Sequence, residues 1–166
     1  MSRPSFSRLL PVLVLISAFA SGCAQTSAAP AQSSQVSTDN FSKAKAAGIR
    51  PVAVGEFRSP KDSRPAEARH LKDTLATELS GAGLLDPASG AVVEGELVSA
   101  DLGSTSGSVA ARFIVTTGGR VVYDKELRAS STWRADANVP REQGLVYSKL
   151  VGQLFTDPMF RNAVPR

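Results

Sequence analysis

The chain has only one cysteine, Cys23, and one histidine, His70, among its 166 residues. One cysteine excludes a disulfide within the chain and leaves intermolecular pairing, a free thiol or a modification for that side chain. One histidine excludes most histidine-based catalytic sites, and a zinc site would have to combine His70 with carboxylates. We therefore expect no metal site, no cofactor and no catalytic residue, and we interpret His70 as a partly exposed helical residue.

A long apolar run and a strong excess of charge are also absent. The run from Leu9 to Ala20 has 12 residues, whereas a membrane-spanning helix needs about 20. Without Arg3 and Arg8, which precede this run, 17 Lys and Arg side chains stand against 15 acidic ones, a net charge of about +2. These charges are spread evenly, which excludes the basic stripe expected of a nucleic-acid-binding protein.

The N-terminal segment combines a basic start, the short apolar run and small residues after it. This order predicts a signal peptide over residues 1–22. Ala18-Phe19-Ala20 fits the pattern of ordinary signal peptidase, with cleavage after Ala20, and would release a secreted or soluble periplasmic protein. That alternative stays open at this point.

A second pattern overlaps the first, because Ala20-Ser21-Gly22-Cys23 resembles the lipobox of bacterial lipoproteins. That family prefers Leu where this chain has Ala20, but the sole cysteine stands at the lipidated position. The resemblance implies that Cys23 carries several palmitate-like acyl chains, and two or more chains hold a protein stably to a bilayer. Ala24 stands where inner-membrane lipoproteins often have Asp, so the resemblance implies the periplasmic face of the outer membrane.

The segment after the cysteine is rich in Ala, Ser, Gln and Thr and poor in large apolar residues. Such a composition predicts a flexible tether, assigned here to residues 23–48 with the lipidated cysteine. A short helix from Asn40 to Ala47, capped by Asp39 and ended by Gly48, is compatible with this tether. Residues 49–166 are then expected to form a single α+β domain.

Hydrophobic periodicity predicts the order β-α-β-β-β-α within that domain. The first strand is expected over 49–57, and a helix follows from Pro65, with Ser63 as its cap and Gly81 and Gly83 as its end. Three alternating runs around 93–97, 109–115 and 121–128 predict strands, and Thr117 to Arg120 predicts a tight hairpin. With a last helix over 140–155, both helices should cover one face of a mainly antiparallel four-stranded sheet.

The opposite sheet face is expected to be solvated and open to partners. Its predicted residues are charged: Glu94, Glu96, Arg112, Asp124, Glu126 and Arg128. Glu94 and Glu96 point the same way at strand spacing, which would suit a paired-carboxylate hydrolase. Alternation with Val93 and Leu97 explains them more simply as a wet sheet face.

Two further groups are candidates for contact with a partner. Trp133 and Arg134 follow the last strand and would form an aromatic and cationic patch of the kind found at interfaces. A tryptophan there also commonly covers the end of a core. Arg58, Lys61 and Arg64 form a small basic cluster in the first loop that could contact anionic lipid or lipopolysaccharide, or could be an ordinary solvated loop.

The helix ending LATELSGAGLL (Leu75 to Leu85) and the strand block with TGGRVVYDKEL (Thr117 to Leu127), taken with the lipobox, resemble a class of small outer-membrane lipoproteins. That class includes the lipopolysaccharide-assembly lipoprotein and has two helices packed on a four-stranded sheet. The resemblance implies a non-enzymatic envelope accessory or scaffold protein that binds a protein or lipopolysaccharide. The alternatives are a hydrolase-type enzyme with a carboxylate site and a soluble periplasmic ligand binder.

Overall fold

The computed structural model describes residues 35–60 and 63–166, which form eight elements around one core. These are α1 (Gln35–Ala46), β1 (Ala53–Arg58), α2 (Pro65–Gly81), β2 (Ala91–Leu102), β3 (Ser106–Thr117), β4 (Arg120–Thr132), α3 (Val139–Thr156) and α4 (Pro158–Ala163). The predicted signal peptide, Cys23 and Lys61 lie outside the described residues.

The four strands form one sheet in the order β1-β2-β3-β4. β1 runs parallel to β2 because the helix α2 connects them, and the other neighbours are antiparallel. The predicted α+β class and the mainly antiparallel sheet are confirmed. Between β3 and β4, Gly118 and Gly119 have φ of 56° and 75°, the left-handed values that a two-residue hairpin requires.

The first strand and the start of α2 differ in detail from the prediction. β1 begins at Ala53, because Ile49 and Val52 form isolated bridges with Pro165 and Leu85 instead of joining the sheet. Ser63 does not cap α2, since its hydroxyl donates to the carbonyl of Pro60 at 2.9 Å. At the other end Gly83, with φ of 71°, ends the helix, and the N–H of Leu84 donates to the carbonyl of Leu79.

The core lies between the helices and one face of the sheet. Phe57 packs where a side chain of Gly95 would stand, and its ring meets Phe113 edge-on with centroids 6.1 Å apart. α2 and α3 contribute their apolar stripes, including Leu71, Leu75, Leu79, Leu150 and Leu154, all fully buried. Burial of such a stripe is the main source of helix stability in a domain of this size.

The predicted tether over residues 23–48 is corrected for residues 35–48. Residues 35–46 form the helix α1, which packs against α2 and α3 and has Ser37, Asn40 and Ala44 buried on its inner side. Ala47 continues this packed segment, and Gly48 follows with φ of 66°. The composition did not predict this docking because two of the three buried side chains are polar.

Asp157 joins α3 to α4 and holds the end of the helical layer against β4. Its side chain is 5% exposed, one carboxylate oxygen accepts from Lys125 Nζ at 2.6 Å, and the other accepts from the N–H of Met159 at 2.8 Å. Burial alone would raise the pKa of Asp157, but these hydrogen bonds hold it below its ordinary value. The ionised form therefore stabilises the fold.

Asp157→Ala should lower the free energy of unfolding by about 2 kcal/mol, because a helix cap and a charged hydrogen bond are lost together. The folded pKa is lowered, so the stabilisation is full above the pKa of an unfolded aspartate, about 3.9, and fades as the pH falls through the folded value. Urea denaturation at several pH values should show wild type and variant converging in acid.

The control for this prediction is Asp136→Ala, which breaks the ion pair with Arg134 at a surface site where the two side chains are 71% and 86% exposed. Such a pair contributes about 0 to 1 kcal/mol. A loss at Asp136 as large as the loss at Asp157 would contradict the role given to Asp157.

Candidate functional site: the open sheet face

None of the described helices covers one face of the sheet, and charged side chains occupy this face in register. Strand pairing aligns Glu96 with Arg112 and Arg112 with Glu126, and it aligns Ile114 with Glu94 on one side and Asp124 on the other. We call this surface the open sheet face. The structure thus brings together all six charged residues that the alternation predicted for it.

The charges on the β3–β4 side of this face are paired with each other. The guanidinium of Arg112 donates to both carboxylate oxygens of Asp124, each at 2.6 Å, and this bidentate contact lowers the pKa of Asp124. Arg128 lies 3.7 Å from Glu126. Both pairs are exposed to solvent, so they orient side chains more than they stabilise the fold.

The β2 side of the open sheet face differs, because its acids are not bound in ion pairs with described residues, although Arg58 and Arg112 stand in register with Glu96 on the two neighbouring strands. Glu94, Glu96 and Asp101 follow one another along this side, and none of them makes an ion pair with any residue in the described ranges. Gly55 on β1 leaves the space that the side chain of Glu94 occupies. We call these three residues the acidic stripe.

Apolar side chains lie beside the acidic stripe and at the hairpin end of β4. Val98 is 41% exposed, Val122 is 44% exposed and Val121 is 60% exposed. Next to Asp101 a shallow hollow of about 470 Å³ is lined by hydroxyl groups of β3 and β4, including Ser108 and Ser130. Exposed apolar groups beside polar, open surface are features of protein interaction sites.

The carboxylates Glu94 and Glu96 do not line the hollow near Asp101 or either of two other cavities formed by described residues. Apart from the hollow near Asp101, these cavities lie between α1, α3 and β4 and beside the start of α2. Among the residues that the structure describes, no group of three or more His, Cys, Asp and Glu side chains could hold a metal ion. Within the same residues, no helix is long and apolar enough to cross a membrane.

The aromatic and cationic candidates after β4 have structural contacts. The indole N–H of Trp133 donates to the carbonyl of Ser104 at 2.7 Å, and its ring packs near Gly107 at the end of the core. Trp133 therefore fastens the β2–β3 loop. Arg134 is bound to its own neighbour Asp136 at 3.0 Å.

The basic candidates of the first loop are not gathered into one cluster by the described residues. Arg64 donates to the carbonyl of Ala100, and it is half-buried there. Arg58 is exposed and lines a cavity of about 450 Å³ together with Arg69 and Lys72. Lys72 is already paired with Glu56 at 3.2 Å.

His70 packs between α2 and α3, with its ring edge-on to Tyr147 at 4.7 Å between centroids. Burial lowers the pKa of His70, although Asp73 acts in the opposite direction. The predicted helical position is confirmed, and the ring contact makes His70 part of the helix interface.

A buried polar cluster between α1, α2 and α3 was missed by the sequence reasoning. Glu78 is a charged residue of α2, but the structure leaves it 1% exposed, beside Ser37, Asn40 and Ser148. Glu78 lies three residues after Leu75, the spacing of the apolar stripe, and this was the one signal that could have placed it inside.

Comparison with known proteins yields fold likeness only. No family model matches the chain, and no curated protein matches it. Among solved structures, the hypothetical protein CT253 from Chlamydia trachomatis matches with a TM-score of 0.50 and 13% identity over 65% of this chain and 94% of that chain. At that identity the likeness shows a shared fold.

Two other similar structures have lower scores. PelC from Paraburkholderia phytofirmans matches with a TM-score of 0.45 and 16% identity, over 64% of this chain and 89% of that chain. A minor lipoprotein from Acinetobacter baumannii matches with a TM-score of 0.44 and 16% identity, over 70% and 95% of the two chains. At these scores we draw no argument from either.

Proposed function

We propose that this chain is a non-enzymatic lipoprotein of the outer membrane, facing the periplasm, and that its open sheet face binds a basic surface of a protein partner. The observation that carries the proposal is the acidic stripe of Glu94, Glu96 and Asp101, which makes no ion pair with any described residue and lies on a face that none of the described helices covers. Complementary charge steers association and excludes partners of the same sign.

The same charge favours a protein over a glycolipid on this face. Phosphate groups of lipopolysaccharide or of anionic lipid would approach the three carboxylates of the acidic stripe, and like charges repel. Val98 and Val122 add apolar area next to these charges, which suits a protein surface with its own apolar groups.

The docking of α1 supports a position of the folded domain close to the bilayer. Lipidation at Cys23 leaves residues 24–34 between the anchor and α1, a stretch that reaches at most about 40 Å when fully extended. The domain is then confined to the layer next to the membrane, where a membrane-associated partner is within reach.

Charge reversal on the acidic stripe tests the partner. A photo-crosslinking amino acid at Val98 should give one adduct in intact cells, and a combined Glu94→Lys and Glu96→Lys variant should reduce it about tenfold, because attraction becomes repulsion. The matched control is Asp73→Lys, a reversal of an exposed acid on α2, which should leave the adduct unchanged.

A crosslinking amino acid at a second position tests whether the adduct is specific for the open sheet face. Met159 on α4 is 60% exposed on the helical side of the molecule, and a crosslinker there should not give the same adduct. An adduct of equal yield from both positions, or one that survives the double reversal, would contradict the assignment of the open sheet face.

A further inference from the structure

The helix α1 is held to the domain by an unusual set of contacts. Its buried side chains are Ser37, Asn40 and Ala44, so it contributes little apolar area. The remaining contacts depend on glycine: the ring of Phe41 fills the side-chain space of Gly81 on α2, and the amide of Asn40 fills that of Gly152 on α3. α1 therefore lies close to both helices but is held to them largely by polar groups.

The polar groups beneath α1 include two buried acceptors without donors. Ser37 Oγ donates to Glu78 Oε1 at 3.0 Å, and Asn40 Nδ2 donates to the carbonyl of Ser148 at 2.7 Å. Glu78 Oε2 and Asn40 Oδ1 are buried and have no hydrogen-bond partner. A buried acceptor without a donor costs about 1–3 kcal/mol, and a carboxylic acid would bring one donor into this cluster.

No cation of residues 35–60 or 63–166 forms an ion pair with Glu78. The charged residues of α1 (Asp39, Lys43 and Lys45) and Lys149 of α3 lie exposed at the surface, and Lys149 donates to Ser131 at 2.7 Å. On α2 itself Asp73 is exposed and His70 contacts Tyr147. Burial raises the pKa of Glu78, against the smaller opposing effect of the neighbouring polar side chains of Ser37, Asn40 and Ser148.

The residues that directly follow α1 are bound to the C-terminal end of the chain, not to α1. Gly48 follows the helix in the left-handed conformation, and the next residue, Ile49, is fully buried and bridged to Pro165. The N–H of Arg50 donates to the carbonyl of Val164 at 3.0 Å, and the N–H of Arg166 donates to that of Gly48 at 3.1 Å. Residues from 49 onward are thus fastened independently of α1.

We propose that α1 is a releasable strap, docked while Glu78 is a neutral acid and released when Glu78 ionises. Because the docked state keeps the proton, docking is strongest at low pH and weakens as the pH rises through the docked pKa of Glu78. The functional consequence of releasing α1 rests on the proposed function, in which the chain is anchored at Cys23. Release up to Gly48 would leave 25 residues after Cys23 and extend the maximum reach to about 85 Å.

Hydrogen exchange of the backbone amides tests the strap directly. Wild-type protein in detergent and the full-length Cys23→Ala chain should both lose protection of residues 35–46 as the pH rises through the docked pKa of Glu78, after correction for intrinsic exchange. Protection of α3 should stay constant. In Glu78→Gln the α1 protection should no longer depend on pH, because the neutral amide cannot ionise.

The matched control is Asp73→Asn, which removes an exposed acid from the same helix and should keep the wild-type pH dependence. Wild-type protection of α1 that does not change with pH would overturn the strap, and so would a pH dependence that persists in Glu78→Gln. The wild-type series decides the question even if the variant fails to fold. Crosslinking at Val98 and membrane fractionation are independent of this outcome and test the proposed function separately.

Discussion

Gly152→Ala should detach α1 from the domain and lower the free energy of unfolding by about 1–3 kcal/mol, the cost of inserting a methyl group into a filled site. The added Cβ would enter the space of the Asn40 side chain, and that amide has little freedom because it also donates to the carbonyl of Ser148. Hydrogen exchange should show lost protection in residues 35–46, and urea denaturation gives the change in stability.

The chain offers a matched control on the same helix. Gly144 also lies in α3, but no atom lies within 4 Å of the place where its Cβ would stand. Gly144→Ala should therefore stabilise the protein by up to about 1 kcal/mol, because alanine is the better helix former. Equal effects of the two substitutions would mean that α1 does not rest on Gly152.

Cys23→Ala should move the protein almost completely from the membrane fraction to the soluble fraction. Each buried methylene of an acyl chain contributes about 0.8 kcal/mol to membrane binding, so the loss of two or more chains removes the anchor. Quantitative immunoblotting of membrane and soluble fractions measures the shift.

Ser21→Ala is the control for this experiment, because it keeps a small residue in the lipobox and leaves the cysteine in place. This variant should remain with the membranes. If wild type and Cys23→Ala fractionate alike, the anchored position of the domain is wrong.

The sheet and its two main helices could be predicted because their residues follow simple periods. Leu71, Leu75 and Leu79 repeat at helical spacing, and the strands alternate apolar and charged residues, so pattern alone assigns each side chain to a face. The Gly118-Gly119 pair specifies the hairpin because both residues have positive φ.

The helix α1 could not be predicted as part of the domain, because the side chains that it buries do not form an apolar stripe in the sequence. The docking of α1 depends on Gly81 and Gly152, which lie more than 30 residues away in the chain. From the sequence alone, glycines at such positions indicate the end of a helix or a weak point within it. The burial of Glu78 could not be predicted for the same reason, because a charged residue is assigned to solvent unless its neighbours in space are known.

The open sheet face was predicted residue by residue, but its division into paired and unpaired charges was not. Alternation placed Arg112 and Asp124 on the same face, whereas only the structure shows that these two bind each other and that Glu94 and Glu96 form no ion pair with a described residue. Asp101 was not a candidate, because the irregularity between Leu97 and Ser99 shifts the alternation in β2.

The N-terminus of the mature chain is the most direct test of the proposed anchor. Both the position of the domain beside the membrane and the effect of releasing α1 depend on an anchor at residue 23. Intact-mass and peptide mass spectrometry of the protein purified from membranes should find a chain that begins at Cys23 and carries the added mass of acyl groups. A mature chain that begins at Ser21 with an unmodified thiol would contradict the account.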